Sequence, residues 1–380
     1  MRYCRKCLEP DTRPNSVFDS EGVCVPCSFR ETEAEENYEQ RLLELKSLIK
    51  KIMRKKKKHQ KWDCIVGVSG GKDSTRQALW VREKLEMNPL LVSVVYPQKQ
   101  MTYNGADNLS NLANLGFDVL TISPAPQLSQ RLVREAFLKF CNWCKATEMA
   151  LFAGVPRVAV EKGIPLVFWG ENPGLQVGDA AVVGESIWDG TKLVNSNTLA
   201  GGDLSWFADV AGGRQRLNMY MFPTREELNA AGVYTIFLGP AWKDWGAITN
   251  SKVALSHGLR FRNADPSDTG DLLGTRMVDE DWTIVNFLLK FYKLGFARGT
   301  DHANGLIRAG VISREEGIQF AELYDEACAS RYIESFCSYI GITEEEFWIT
   351  VKKFAHKELF DCSGARPKKL FNPGVGVGHD

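Results

Sequence analysis

From Lys61 onward, short apolar runs alternate with stretches of helical period. Asp63 to Val68, Leu90 to Tyr96, Phe117 to Ile122 and Pro165 to Gly170 read as four strands. Between and after them, residues 73–86, 103–115, 127–140 and 146–162 carry apolar side chains three or four apart and read as helices. Strand, helix, strand at this spacing predicts an α/β fold with a doubly wound parallel sheet and right-handed crossovers. Ligands of such sheets bind beyond the carboxyl ends of the strands, which directs attention to Ser69, to Val94 and Tyr96, and to Gly170-Glu171-Asn172. Upstream, Leu42, Leu43, Leu45, Leu48, Ile49 and Ile52 form a stripe within residues 31–58 that predicts one connecting helix. Residues 174–276 are irregular and rich in glycine and aromatics. Trp188, Trp206, Phe207, Trp242 and Trp245 read as core, and the segment as an insertion shaping a pocket. Asp279-Glu280-Asp281 is expected to cap a helix running to about Leu294, with Trp282, Val285, Phe287, Leu288, Phe291 and Tyr292 on its apolar side. Helical patterns continue to about Glu358, and the tail from Gly374 reads as flexible. The divisions expected are residues 1–30, 31–60, 61–275 and 276–380.

The first strand turns through paired glycines: Ser69-Gly70-Gly71-Lys72-Asp73-Ser74. Glycine lets the backbone approach an anion, and a helix amino terminus carries partial positive charge. Ser69 and Ser74 offer hydroxyls, Lys72 a cation, and Asp73 a carboxylate suited to a divalent metal; Asp73 or Ser74 is expected to cap the helix. This is not the G-x-x-x-x-G-K-[ST] loop, because no glycine precedes Lys72 at that distance. The plain alternative is a Gly-Gly turn before an ordinary helix.

Net charge is zero, so no general field draws nucleic acid. The run Lys50 to Lys58 reads first as a solvated helix end and second as a patch for RNA or an anionic sugar nucleotide. No apolar leader or membrane-spanning stretch is seen, which makes a cytoplasmic protein the expectation and its ten cysteines thiols or metal ligands. Cys4-x-x-Cys7 and Cys24-x-x-Cys27 have the spacing of a four-thiolate structural zinc site, in a segment too short and polar to order itself by burial. Cys64 reads as a small core residue. Cys141-Asn142-Trp143-Cys144 reads two ways, as a metal or redox pair and as packed thiols.

The S-G-G-x-D-S loop resembles that of the PP-loop ATP-pyrophosphatases. The resemblance implies ATP cleaved between its α and β phosphates, with Lys72 and Asp73 catalytic, Ser69, Gly70, Gly71, Asp73 and Ser74 on pyrophosphate, and the main chain near Val94 and Tyr96 on adenine. Together with the cysteine ribbon, the pieces G-F-A-R-G-T-D-H-A and I-R-A-G-V-I-S-R-E-E between Lys293 and Glu316 resemble the N-acetyl sugar amidotransferases of bacterial O-antigen and surface polysaccharide synthesis. That family implies conversion of an acetamido to an acetamidino group on a UDP-linked sugar through an adenylated imidate attacked by ammonia. It implies ATP, Mg2+ and Zn2+, and a class I glutaminase resembling that of histidine biosynthesis, with a cyclase-like companion. Glu171, Asn172, Arg298, Asp301, His302 and Arg308 are then candidates for ATP, the sugar or the ammonia route; a salt-bridged helical face is the alternative for the last four. The rival class is a tRNA-modifying PP-loop enzyme, a thiolase or lysidine synthetase. In some of those thiolases a C-x-x-C holds an iron-sulfur cluster with a third cysteine, for which Cys328, Cys337 and Cys362 have no persuasive spacing. A non-catalytic nucleotide-binding scaffold is a further reading.

Overall fold

The structure, a computed structural model, describes residues 1–33, 37–54, 61–170, 172–176 and 178–376. Glu171 and the basic residues Lys55 to Lys58 lie outside the described residues.

The chain opens with the cysteine ribbon, then α1 (Val25–Glu33) and α2 (Tyr38–Met53). The expected single helix is thus two, the second starting at Asn37, whose side chain accepts from the Gln40 amide. Next come β1 (Cys64–Gly67), α3 (Lys72–Lys84), β2 (Pro89–Val94), α4 (Tyr103–Asn114), β3 (Asp118–Ile122), α5 (Pro126–Phe140), α6 (Cys144–Lys162) and β4 (Leu166–Trp169). The insertion carries α7 (Pro173–Gln176), α8 (Ser205–Ala211), α9 (Arg225–Ala231), β5 (Tyr234–Phe237), α10 (Ala247–Ser256) and α11 (Pro266–Thr269). The chain then turns helical: α12 (Trp282–Leu294), α13 (Arg298–Arg308), α14 (Arg314–Tyr324), α15 (Ser330–Ile340) and α16 (Glu344–Phe354). A short hairpin of β6 (Phe360–Asp361) and β7 (Lys368–Lys369) follows.

The five long strands form one sheet in the order β3-β2-β1-β4-β5, all neighbours parallel. The four strands read from the sequence are present, and β5 adds an edge from within the segment read as irregular. Because strand side chains alternate, Ile65 faces Val155 and Val158 of α6 on one side, while Cys64 and Val66 join Leu45 and Ile49 of α2 on the other. Cys64 is, as expected, a core residue. After β1 the chain crosses to β2 on one side, and β4 pairs on the other. The loop after β1 therefore opens at the switch point of the sheet.

The carboxy-terminal helices share a core with α5 and α6: Phe137 stacks on Phe347 at 5.2 Å, and Trp143 Nε1 donates to the Trp282 carbonyl at 3.0 Å. The expected cap of α12 narrows to one residue of the acidic run. Its N-cap Asp281 makes no capping bond and accepts instead from Arg262 at 3.0 Å, and the capping acceptor is Glu280, which takes the Thr283 amide at 2.8 Å while Asp279 is buried. The ribbon docks on α13 and α14, where the Leu8 amide donates to Asn304 Oδ1 at 2.7 Å and Leu8 packs on Ala303 and Ala321. The tail is docked as far as it is described: Arg314 Nη2 donates to the Gly374 carbonyl at 3.1 Å, and Asn372 bridges Gly376.

Candidate active site

The loop departs from its sequence reading at the cap. The N-cap of α3 is Gly71, with no side-chain bond, so neither Asp73 nor Ser74 caps the helix. Ser74 Oγ donates to the Gly71 carbonyl at 3.2 Å, and Ser69 Oγ accepts from the Gly71 amide at 3.3 Å. A helix with no side-chain cap leaves its first-turn amides to an outside acceptor, the arrangement that binds phosphate. Gly70 has φ +82, and a Cβ there would meet the Leu109 amide nitrogen at 2.7 Å. The second constraint was invisible in the motif: Gly70 lets α4 close on the loop.

Asp73 joins two networks. Lys72 Nζ donates to its Oδ2 at 2.5 Å and Asn250 Nδ2 to its Oδ1 at 2.6 Å. Asn250 Oδ1 in turn accepts from Arg76 Nη1 at 2.6 Å, and Arg76 Nη2 reaches Asp244 Oδ1 at 2.6 Å. Burial acts to raise the Asp73 carboxyl, but Lys72 and the bond from Asn250 outweigh it and hold the group below its ordinary range. An ionised Asp73 beside the loop fits a magnesium held by one carboxylate and the phosphates of a nucleotide. Asn250 and Asp244 were missed because they lie in the segment read as irregular, where only the Gly246 break before a helical run marked α10, and Arg76 because within α3 it reads as an ordinary helical residue.

A cavity of about 1000 Å³ opens from the loop. Val94, Tyr96, Trp169 and Gly170 line it at the strand ends, and Trp245 covers Gly170 so closely that a Cβ there would lie 2.8 Å from its ring. Trp245 is therefore a cavity wall, whereas Trp188, Trp206, Phe207 and Trp242 are core as expected. Cys144, Thr147 and Glu148 of α6 line the cavity, with Asp279. Burial raises Glu148 to about 7, against Thr198 and Lys145, and raises Asp279 to about 6, against Arg262. Asn172 is buried and braces its loop, donating to the Ile187 carbonyl at 3.0 Å and accepting from the Gly174 amide. Cys141 lies in the core shared with α12, and burial raises its thiol to about 12. No third ligating side chain joins Cys141 and Cys144 among the described residues.

The far wall is built by the ribbon and α13. The sulfurs of Cys4, Cys7, Cys24 and Cys27 all lie within 4.8 Å of one another, with Cys4–Cys27 at 3.9 Å and Cys7–Cys24 at 3.7 Å. Ligand sulfurs about 2.3 Å from a tetrahedral ion stand roughly 3.8 Å apart, so the four fit one metal ion. The amides of Lys6 and Cys24 donate to Cys4 Sγ and that of Glu9 to Cys7 Sγ, as suits thiolate charge. Glu9, buried, accepts from Arg308 at 3.0 Å, and Arg308 also reaches Cys7 Sγ at 3.3 Å. Asp301 accepts from both Arg13 and Lys290 at 2.6 Å. Asp301 and Arg308 thus tie the ribbon to the helices while lining the cavity. Arg298 and His302 line it too, on either side of Asp271.

A five-stranded parallel sheet in this order, with S-G-G-x-D-S between β1 and α3, is the doubly wound α/β fold expected from the loop's resemblance, with that loop at the carboxyl end of the first strand. Residues 275–372 match the family described as LPS biosynthesis protein WbpG-like, C-terminal domain. No curated protein matches the chain. Among solved structures, the U34-tRNA thiolase NcsA from Methanococcus maripaludis with its 4Fe-4S cluster is 13% identical, with 85% of this chain and 89% of that chain covered and a TM-score of 0.30. No helix among the described residues is long and apolar enough to cross a membrane.

Proposed function

We propose that the chain is an ATP-dependent amidotransferase that converts an acetamido group of a sugar to an acetamidino group for lipopolysaccharide O-antigen synthesis. The observation that carries it is the shared cavity: the loop Ser69 to Ser74 and residues of the WbpG-like segment, among them Arg276, Asp279, Arg298 and His302, line one space roofed by the ribbon. Such a roofed space suits small substrates.

An acetamide carbonyl is a poor electrophile, so its oxygen must become a leaving group. Held in line with ATP, that oxygen attacks the α-phosphorus, giving an adenylated imidate and pyrophosphate. The first-turn amides of α3 and Lys72 take the charge developing on pyrophosphate. Magnesium on Asp73 would add charge neutralisation there. Ammonia adds to the imidate carbon and AMP leaves. Glu148 and Asp279, raised toward neutrality on the same wall, are suited to accept the proton of ammonium. A class I glutaminase with a cyclase-like companion supplies the ammonia. Zinc in the four-cysteine site is structural, because a closed tetrahedral set leaves no open position.

The test is incubation with ATP, ammonium chloride and UDP-linked diacetamido sugars, reading AMP, pyrophosphate and sugar mass. AMP together with exchange of a carbonyl oxygen for NH is the expected result. AMP formed with bulk tRNA and unchanged sugar would overturn it.

A further inference from the structure

Gln77 follows Asp73 by four residues on α3, so the two side chains share a face of that helix. It is 3% exposed and lines the cavity, and its Nε2 donates to no partner. A buried amide with an unanswered donor costs stability, and native proteins keep few of them. At the carboxyl end of β4 this amide meets two other groups. A Cβ on Gly170 would stand 3.4 Å from Gln77 Oε1 and 2.8 Å from the Trp245 ring, so carboxamide, bare backbone and indole converge on one corner. Trp245 is held there: its ring packs at 4.2 Å on Trp242, and the Arg76 guanidinium lies 5.9 Å from its centroid. Asn250 and Asp244 fix Arg76 in turn. The corner is thus a rigid aromatic wall with a free carboxamide beside it. β4 lies on the opposite side of β1 from β2, so this corner and the Val94 and Tyr96 side are two ends of one space with the loop between them. A nucleotide on the loop can fill one end and leave the other to a second molecule.

We propose that Gln77 and Trp245 form a subsite for a planar acyl amide, Gln77 Nε2 donating to the amide oxygen and the Trp245 ring packing on the amide plane and its methyl group. A carbonyl oxygen has two lone pairs. With one of them taken by Gln77, the other stays free to face the loop one helical turn away, where Asp73 stands. Gln77 is then a specificity-determining residue: it accepts an N-acylated ligand and rejects the free amine, because an ammonium group has no lone pair for Nε2 and brings a charge to an apolar wall. That the bound amide is the reacting group rests on the amidotransferase reading; recognition of an amide at this corner does not.

The experiment is calorimetric titration of the metal-loaded full-length chain, saturated with α,β-methylene-ATP, with UDP-N-acetylglucosamine and with UDP-glucosamine. Wild type is expected to bind the acetylated sugar roughly tenfold or more the tighter, the scale of one satisfied buried hydrogen bond. Gln77→Met keeps the length and removes the donor, and should bring the two affinities to within about threefold while leaving that of the ATP analogue unchanged. It should also leave the melting temperature equal or higher, since no bond within the protein is lost. If Gln77→Met fails to fold, Gln77→Glu decides, with the preference expected to turn toward the free amine. Wild type binding neither sugar, or both equally, would overturn the subsite, as would an acetyl preference kept by Gln77→Met or a melting temperature lowered by it. An acetyl preference that depends on Gln77, with no change in the sugar on turnover, would leave the subsite standing and sink the amidotransferase reading. Turnover of the acetylated sugar by Gln77→Met at the wild-type KM would do the reverse.

Discussion

Asp73 is where loop chemistry and fold meet, since its two oxygens are claimed by Lys72 and Asn250. Asp73→Ala should abolish AMP formation while leaving the melting temperature near that of wild type. Asn250→Ala should lower turnover by about tenfold or more, because it frees both Asp73 and Arg76, and nucleotide binding should persist; steady-state kinetics check both. Asp279 makes a different prediction, because burial raises its folded-state pKa to about 6. Below about pH 4 the group is protonated folded and unfolded, and contributes no difference. Between pH 4 and 6 the unfolded chain ionises first, so the folded state loses relative stability, on the order of 3 kcal/mol once pH exceeds 6. Asp279→Asn should therefore gain on wild type in urea unfolding as pH rises from 4 to 7.

Among the elements, α13 is the most constrained. A Cβ on Gly299 would stand 2.8 Å from the Phe320 carbonyl and 3.0 Å from the Asp325 amide, both backbone atoms. Gly299→Ala should cost about 1–3 kcal/mol in denaturant unfolding by forcing α13 away from α14. The same element shows what could be read in advance. The phrase from Gly295 to Ala303 was legible as a distinguishing motif, but its reasons are spatial: Phe296 takes Arg13 and Lys290 over its ring, Thr300 bonds Asp325, and Asp301 holds Arg13. Ser313 and Glu316, quoted in the companion motif, are a reciprocal cap starting α14, a signal that is local and readable. The first four strands were readable because each is a bounded apolar run. Val233 to Leu238 is such a run as well, and β5 was passed over because glycines and aromatics around it hid the period. Asn250 and Asp271 carry no periodic signal, and their importance comes from partners far along the chain.

At the scale of the whole molecule, the expected divisions into ribbon, sheet and helices share walls. Glu9, Arg13 and Phe29 of the amino-terminal segment line the same cavity as Lys72 and Arg298. Cys4→Ser and Cys24→Ser should each lose stoichiometric zinc by metal analysis. Chelation should loosen the far wall, read as a lower melting temperature of chelated than of metal-reloaded protein.

The docking of Leu8 on Asn304 joins residues 296 apart in the chain. During synthesis at about 5–20 residues per second, the ribbon emerges roughly 15–60 s before the helix that receives it. For that interval it lacks the helix on which it finally docks. An ion closed in by four thiolates needs no such neighbour, so metal bound at Cys4, Cys7, Cys24 and Cys27 would act as a clasp that keeps the ribbon intact until α13 arrives to receive it.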